Sequence, residues 1–231
     1  MLIGKSEEEI ELVRESSLLV GKTLAEVASL VRPGVTPLEL DKRAYEFIHD
    51  HGAVPGFLNY NGFPNSLCIS KNEAVVHGIP DKKEVVDGDI LSVDCGVLMN
   101  GYFGDSAYTF KVGEVSKEVD DLLETTKRSL KLGIEQAVAG NRVGDIGYAV
   151  QLEAERNGYG VVRELVGHGL GKKLHEAPEV PNFGKRGRGP VLVDGLIIAI
   201  EPMINLGRKE VSQLRISVYP LWRNWYPYQG G

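Results

Sequence analysis

Apolar and polar residues recur with two different periods along this 231-residue chain, and each change of period marks a change of element. From Ser6 the apolar positions Ile10, Val13, Leu18, Leu24 and Leu30 follow helical spacing as far as Pro33-Gly34. Ser6 with Glu9 is a capping box, which places the helix start there. Thr36-Pro37-Leu38-Glu39 repeats the signal with Pro in the first turn, and Gly52 ends that second helix. Ser116 opens a third helix to about Ala139, and Gly144-Asp145 a fourth to Gly158. The segment from Gly56 to Ser70 is a Gly/Asn/Pro-rich loop with interleaved aromatics that enters a strand near Ser66–Ser70. A short apolar run then delivers His77. Near the end of the pattern, Asp194–Ile204 reads as a fully apolar strand carrying Glu201.

The most informative stretch is Asp87–Val112, where two β-rich runs flank Asn100-Gly101, the strongest short-range hairpin signal. A two-residue loop there pairs Met99 with Tyr102 and Gly96 with Asp105. Side chains alternate faces along a strand, so Asp94, Gly96, Asp105 and Ala107 share one face. The two carboxylates then lie diagonally across the pair, about 7–8 Å apart at Cα. Two like charges on apolar strands are costly unless a cation lies between them. The pair reads as half of a metal site; two solvated aspartates on an open hairpin face fit the hairpin alone equally well.

An internal repeat organises the chain further. Asp87–Asp94 (DGDILSVD) matches Asp194–Glu201 (DGLIIAIE) at an offset of 107, while Gly34 and Gly52 match Gly140 and Gly158 at an offset of 106. Helix, helix, strand, strand occurs twice, which predicts two similar α+β halves, about 1–112 and 113–210, within one domain over 1–210. Joined about a pseudo-twofold axis, such halves bring Asp94 and Glu201 to equivalent places.

Composition narrows the class. A net charge of −6 argues against nucleic acid or an anionic membrane as the main partner. Cys68 and Cys95 are the only cysteines and lack metal-type spacing, which suggests a reducing compartment. The acidic start MLIGKSEEEIELV has no signal-peptide pattern, and no apolar run approaches 18 residues, so the expectation is a cytoplasmic protein.

The candidate chemistry gathers Asp94, Asp105, His168 and Glu201. Three carboxylates and one imidazole suit a hard or borderline divalent ion such as Mn, Fe, Co or Zn. Bridging carboxylates hold two ions ~3.5–4 Å apart and lower the pKa of a bound water toward ~7, as amide hydrolysis at neutral pH requires. His77 and His175 are further imidazoles suited to hydrogen-bonding a substrate amide or relaying a proton. Each alone is as readily a structural histidine. His49 and His51 read as partners of a helix C-terminus.

VVHGIP, DCGVLMNGYFGDSAYTF, VGHGLGKKLHEAP and IAIEPM together make the chain resemble the bacterial type I methionine aminopeptidases over about residues 3–210. The resemblance implies the α+β pita-bread (creatinase/aminopeptidase) fold, two pseudo-symmetric halves with a curved antiparallel sheet flanked by helices. It implies metal-dependent removal of the initiator methionine from the N-terminal peptide of nascent proteins, at the ribosome, by a monomer. Asp94, Asp105, His168 and Glu201 match ligands of two divalent ions (Co, Mn, Fe or Zn), and His77 and His175 match the substrate-contacting histidines. Tyr60, Phe63 and Cys68, with Phe57 nearby, match the methionine pocket. A thioether packs well on aromatic edges, although these aromatics also suit an ordinary core. Type II enzymes carry a long insertion between the regions of His168 and Glu201, and here 33 positions separate the two. Prolidases, which share the fold, carry a substantial N-terminal domain, whereas here the first helix starts at once.

After about Lys209 the resemblance stops. Members of the family continue with an Asp-Gly-Trp-Thr-like strand and a Glu-His pair whose glutamate bridges both metals. This chain has no acid after Glu210, and both tryptophans and three tyrosines fall in its last 13 residues. Pro220 and Pro227 predict that no strand forms. The expectation is an atypical tail over 211–231, truncated or frame-shifted. It raises an alternative to the active enzyme: an inactive or weakly active remnant retaining at most peptide or metal binding.

Overall fold

The computed structural model describes residues 2–216 and 219–224. In chain order these form α1 (Glu7–Ala28), α2 (Pro37–Asp50), β1 (Val54–Pro55), β2 (Leu67–Lys71), β3 (Ala74–Val76), β4 (Ile90–Met99) and β5 (Tyr102–Lys111). They continue with α3 (Lys117–Ile134), α4 (Val143–Arg156), β6 (Gly160–Val161), β7 (Gly167–Gly169), β8 (Glu176–Val180), β9 (Ile204–Asn205), β10 (Val211–Ile216) and β11 (Tyr219–Asn224). The architecture is α+β. It divides into two compact units, one of Glu11–Ser116 with the described residues of Ser212–Arg223, the other of Lys117–Val211 with residues 2–10.

In the first unit both predicted helix starts are present. Ser6 Oγ accepts from Glu9 N, and Glu9 returns a carboxylate to Ser6 N. Thr36 and Glu39 make the same reciprocal box at α2. Central strand β4 pairs with β5 on one edge and with β1 and β2 on the other. Leu91, Val93, Cys95 and Val97 alternate along β4 and are fully buried. They meet Leu19, Val20 and Leu24 of α1 and Leu40, Ala44 and Ile48 of α2 in one core. Burying each large aliphatic side chain stabilises by roughly 1.5–3 kcal/mol, which fixes this face inward and turns Ser92, Asp94 and Gly96 to the other. Asp41, buried on α2, accepts from Ser66 N, Leu67 N and the Asn65 amide, and so holds the aromatic loop where it becomes β2.

In the second unit α3 packs on α4 at Gly133, where an added Cβ would lie 2.8 Å from Val150 Cγ2. Val143, Ile146, Val180 and Leu192 form its core. Pairs β6–β9 and β7–β8 are antiparallel. The landmark glycines of the repeat take matching left-handed backbones, Gly34 and Gly140 at φ 86° and 93°, Gly52 and Gly158 at 73° and 84°, Gly88 and Gly195 at 88° and 74°. These are conformations that glycine adopts without steric cost. Between them α2 and α4 are each 14 residues long.

Three local readings change. Helix α3 stops at Ile134, not Ala139, because turns closed by Gly133, Ile134 and Gln136 carbonyls replace the α-helical ladder before Gly140. The segment Asp194–Ile204 is not one continuous strand. It follows β7 through two bonds, Leu170 N to Ile197 O and Ala199 N to His168 O, and a single bridge between Gly169 and Ile198. A bulge at His168/Gly169 interrupts the regular ladder of β7. Strands β10 and β11 form in the tail despite Pro220, with β11 joined to β3 at Trp222 and Arg223, beyond the residue that lacks an N–H. Pro227 lies outside the described residues.

Candidate active site

The hairpin has the register that Asn-Gly dictates. Asn100 and Gly101 take φ of 53° and 78°, Met99 pairs with Tyr102, and Gly96 pairs with Asp105. Asp94 lies opposite Ala107 on β5 and opposite Cys68 on β2, so thiol and carboxylate share one face. Phe57 stands over the same face: a Cβ on Gly96 would come within 2.6 Å of the ring. Glycine at 96 is therefore a requirement of the aromatic contact. Burial lifts the Cys68 thiol well above its ordinary range, and the charges of Asp94 and Asp105 add to the effect. At neutral pH the sulfur is an uncharged, soft surface.

After Phe57 the chain makes one tight turn. Tyr60 N donates to Phe57 O at 2.9 Å, and Phe63 N donates to Tyr60 O at 3.0 Å. Asn59 and Asn61 accept left-handed φ of 64° and 48°, as asparagine does more readily than most residues. Phe63 is buried and Tyr60 half-buried.

His77 also has positive φ, 61°, a conformation worth roughly 1–3 kcal/mol of strain in a residue with a Cβ. The next residue holds it there. Gly78 N donates to Ser70 Oγ at 3.0 Å, Gly78 O accepts from Ile69 N at 2.8 Å, and a Cβ on Gly78 would lie 2.1 Å from Ile69 O. The imidazole is thus carried, exposed, beside β2, whose Cys68 faces Asp94.

The second unit holds the other predicted residues. His168 is buried on β7, and its ring lies 4.2 Å, centroid to centroid, from that of exposed His175. His168 Nδ1 is 2.9 Å from the Gly169 carbonyl. A carbonyl only accepts, so Nδ1 donates there and Nε2 is the ring nitrogen turned toward Glu201. Glu201 Oε1 lies 3.3 Å from that Nε2. The Glu201 side chain retains 36% exposure, yet Oε1 itself is buried without a hydrogen bond among the described residues. Burial pushes the Glu201 carboxyl up to about 7. Nε2 and Oε1 at this distance share a proton or a cation between them, and an imidazole–carboxylate pair is the donor set of a borderline divalent ion. The residues fit the metal.

The structure therefore brings Asp94, Asp105, Cys68 and Phe57 together in one unit, with His77 delivered alongside, and His168, His175 and Glu201 together in the other. No three His, Cys, Asp or Glu side chains among the described residues are gathered closely enough to hold a metal ion by themselves. Of His49 and His51, the latter ends α2 with Nδ1 2.8 Å from Phe47 O, a structural role. Asn182 escapes sequence reasoning. It is buried, and its Nδ2 donates to the Glu201 carbonyl at 2.6 Å, in a PNFG segment that carries no signal beyond that of a loop.

Residues 11–218 match the model of metallopeptidase family M24. The chain is 51% identical to the methionine aminopeptidase of Clostridium acetobutylicum over 208 residues, which covers 90% of this chain and 83% of that protein. Among solved structures, the methionine aminopeptidase from Rickettsia prowazekii superposes with a TM-score of 0.93 at 36% identity, covering 96% of this chain and 90% of that one. The prolidase from Pyrococcus furiosus superposes with a TM-score of 0.76 at 25% identity, over 87% of this chain and 57% of that one.

Proposed function

We infer that this chain, which belongs to metallopeptidase family M24 and has its pita-bread fold, removes the N-terminal methionine from peptides by metal-dependent hydrolysis. The observation that carries the reading is the buried Glu201 Oε1 facing Nε2 of His168 at 3.3 Å. Asp94, Asp105, His168 and Glu201 would hold two divalent ions, Mn, Fe, Co or Zn. When bound, the ions supply Lewis acidity and a water acidified toward pKa ~7.

The remaining work falls to the chain's own side chains. Phe57, Tyr60, Phe63 and Cys68 take the methionine side chain, whose thioether suits aromatic edges and a neutral thiol. His77 and His175 hydrogen-bond the scissile amide and its tetrahedral intermediate, and one of them returns a proton to the leaving amine. The strained backbone at His77 supports this role, since strain of that kind collects at functional sites. A second residue with a small side chain fits next to this crowded pocket better than a long one.

The substrates are nascent proteins in the cytoplasm, met at the ribosome by a monomer. Among the described residues no helix is long and apolar enough to cross a membrane. Residues 1–210 act as one catalytic domain, with 211–231 as an atypical tail. No comparison favours an inactive remnant, although the sequence has no acid after Glu210 to act as a bridging glutamate.

Comparing turnover of Met-Ala-Ser, Leu-Ala-Ser and Met-Lys-Ser under excess Mn tests the reading. Met-Ala-Ser should be turned over fastest. Equal rates for the three contradict the pocket, and metal binding without turnover of any of them is the outcome that an inactive remnant requires.

A further inference from the structure

Two clamps hold the aromatic loop that runs from Gly56 to Ser66. At its start Gly56 N donates to Gly96 O at 2.7 Å, and a Cβ on Gly56 would lie 3.0 Å from Gly96 C, so the loop begins in backbone contact with β4. At its end the Asp41 carboxylate takes three donors. Oδ1 accepts from Ser66 N at 2.9 Å and from Leu67 N at 2.8 Å, and Oδ2 accepts from the Asn65 amide at 2.8 Å. Asp41, Ser66 and Leu67 are all buried. Alternate amides of an antiparallel strand point to the same edge, so Leu67 N and Ile69 N leave β2 on the side away from β4. Ile69 N finds the Gly78 carbonyl there at 2.8 Å, and Leu67 N finds Asp41. A carboxylate from α2 thus serves the outer edge of β2 where a neighbouring strand would supply a carbonyl.

Each clamp sits next to a wall of the proposed methionine pocket. Phe57 follows Gly56 and covers Gly96. Cys68 follows Leu67 and lies opposite Asp94, two residues from Gly96 on the same face of β4. Phe63, also buried, lies three residues before Ser66. The gap between the walls therefore depends on where the loop is fastened, at Gly96 for the first and at Asp41 for the second. Hydrogen bonds accepted by a carboxylate are roughly twice as strong as those between neutral groups, which suits Asp41 to hold the second end.

We propose that Asp41 is a positioning residue for substrate selection: it fixes the entry of β2 so that Cys68 and Phe63 stand at the distance from Phe57 that admits an unbranched thioether and disfavours a branched side chain. This rests on the methionine pocket given above. Selectivity between apolar side chains of similar size is worth only about 10–200-fold in a well-formed pocket, so a little slack at the strand entry erases most of it.

The test uses the full chain with Asp41→Ala, Asp41→Asn and Asn65→Ala, and two quantities are read. The first is the rate at which iodoacetamide alkylates Cys68, 7% exposed, with Cys95, 0% exposed, as the reference that reacts only when the sheet itself opens. The second is the preference for methionine over leucine. It is taken from kcat/KM on Met-Ala-Ser and Leu-Ala-Ser under excess Mn, and from the concentrations of free methionine and leucine that halve the alkylation of Cys68, which need no turnover. Asp41→Ala removes the acceptor of two buried amides, so opening at Ser66–Leu67 should become at least about 10-fold more frequent and Cys68 alkylation faster by the same factor. The methionine preference should fall about 10-fold, mainly through a higher KM for Met-Ala-Ser. Asp41→Asn should behave like the parent chain, because its Oδ1 still accepts from both amides and the Asn65 side chain can turn its oxygen toward the new NH2. Asn65→Ala, which spares the backbone bonds, should move both quantities the same way by about 2-fold, and decides the matter if Asp41→Ala does not fold. A lower melting temperature with alkylation and preference both unchanged makes Asp41 purely structural and overturns the proposal while sparing the pocket. Faster alkylation with an unchanged preference overturns it the other way: Asp41 then fastens β2, and Cys68 and Phe63 are not walls of a methionine pocket.

Discussion

Replacing Gly96 with alanine tests whether Phe57 is part of the substrate pocket or mere filling. The new methyl would sit 2.6 Å from Phe57 Cε1, 2.9 Å from Cδ1 and 3.2 Å from Cζ. Carbon pairs are comfortable at about 3.5–4.0 Å, so the ring must retreat by roughly 1 Å from the face that carries Asp94 and Asp105. Phe57 is only 7% exposed, so its surroundings leave little slack. Overpacking of this kind costs about 1–3 kcal/mol. Because a ring yields more easily than a backbone, the lower half of that range is expected, and a melting temperature about 2–8 °C lower follows for a chain of this size. If Phe57 lines the proposed methionine pocket, the same retreat weakens its contact with the methionine side chain. Losing about 1 kcal/mol there raises KM for Met-Ala-Ser roughly fivefold and leaves kcat nearly unchanged, the signature of lost uniform binding. Melting curves and steady-state kinetics on Gly96→Ala, Phe57→Ala and the double variant decide the matter. In the Phe57→Ala background the methyl has nothing to strike, so Gly96→Ala should then be nearly neutral. If it costs as much there as in the parent chain, the contact with Phe57 is not what makes glycine necessary, and the reasoning fails.

Two further outcomes are expected. His77→Gly relieves a left-handed φ of 61° and should raise stability by up to about 1 kcal/mol in a melting experiment while turnover falls sharply; a variant that keeps its turnover removes His77 from the mechanism. For Asp89, burial works against the charged form, but Lys71, Val86 N and Asn72 outweigh it and hold the carboxyl below its usual 3.8. A depressed carboxyl contributes stability above its unfolded pKa and loses it as pH falls through the folded value. Asp89→Asn should therefore be less stable at pH 7 by about 1–3 kcal/mol, with the gap narrowing below about pH 3.8. A gap that stays constant in urea titrations down to pH 3 contradicts the assignment.

Much of this was legible in the sequence where a local rule had one solution. Asn100-Gly101 admits two consecutive positive φ angles, so the register of β4 and β5 followed, and with it the shared face of Asp94 and Asp105. The capping boxes at Ser6 and Thr36 fixed two helix starts for the same reason. What stayed hidden depends on partners remote in sequence. Asp194–Ile204 has the apolar content of a strand, but its neighbour β7 is bulged, and composition does not record a neighbour's irregularity. The pairing of β11 with β3 in the tail was hidden likewise, because a proline forbids a hydrogen bond only where the ladder asks for one. The ion pair of Lys5 with Glu176 spans 171 positions, and nothing near either residue announces the other. Asn182 was hidden because a loop asparagine reads as a turn former.

The central proposal is that Asp94, Asp105, His168 and Glu201 are ligands of divalent metal. Calorimetric titration of Mn into the unmodified chain, Asp105→Ala and Glu201→Gln tests it most directly, because the two variants lie in different units and both are read without turnover. The unmodified chain should bind Mn, and each variant should lose at least about 10-fold in affinity or lose the ion outright. Unchanged Mn binding in both variants would contradict the account.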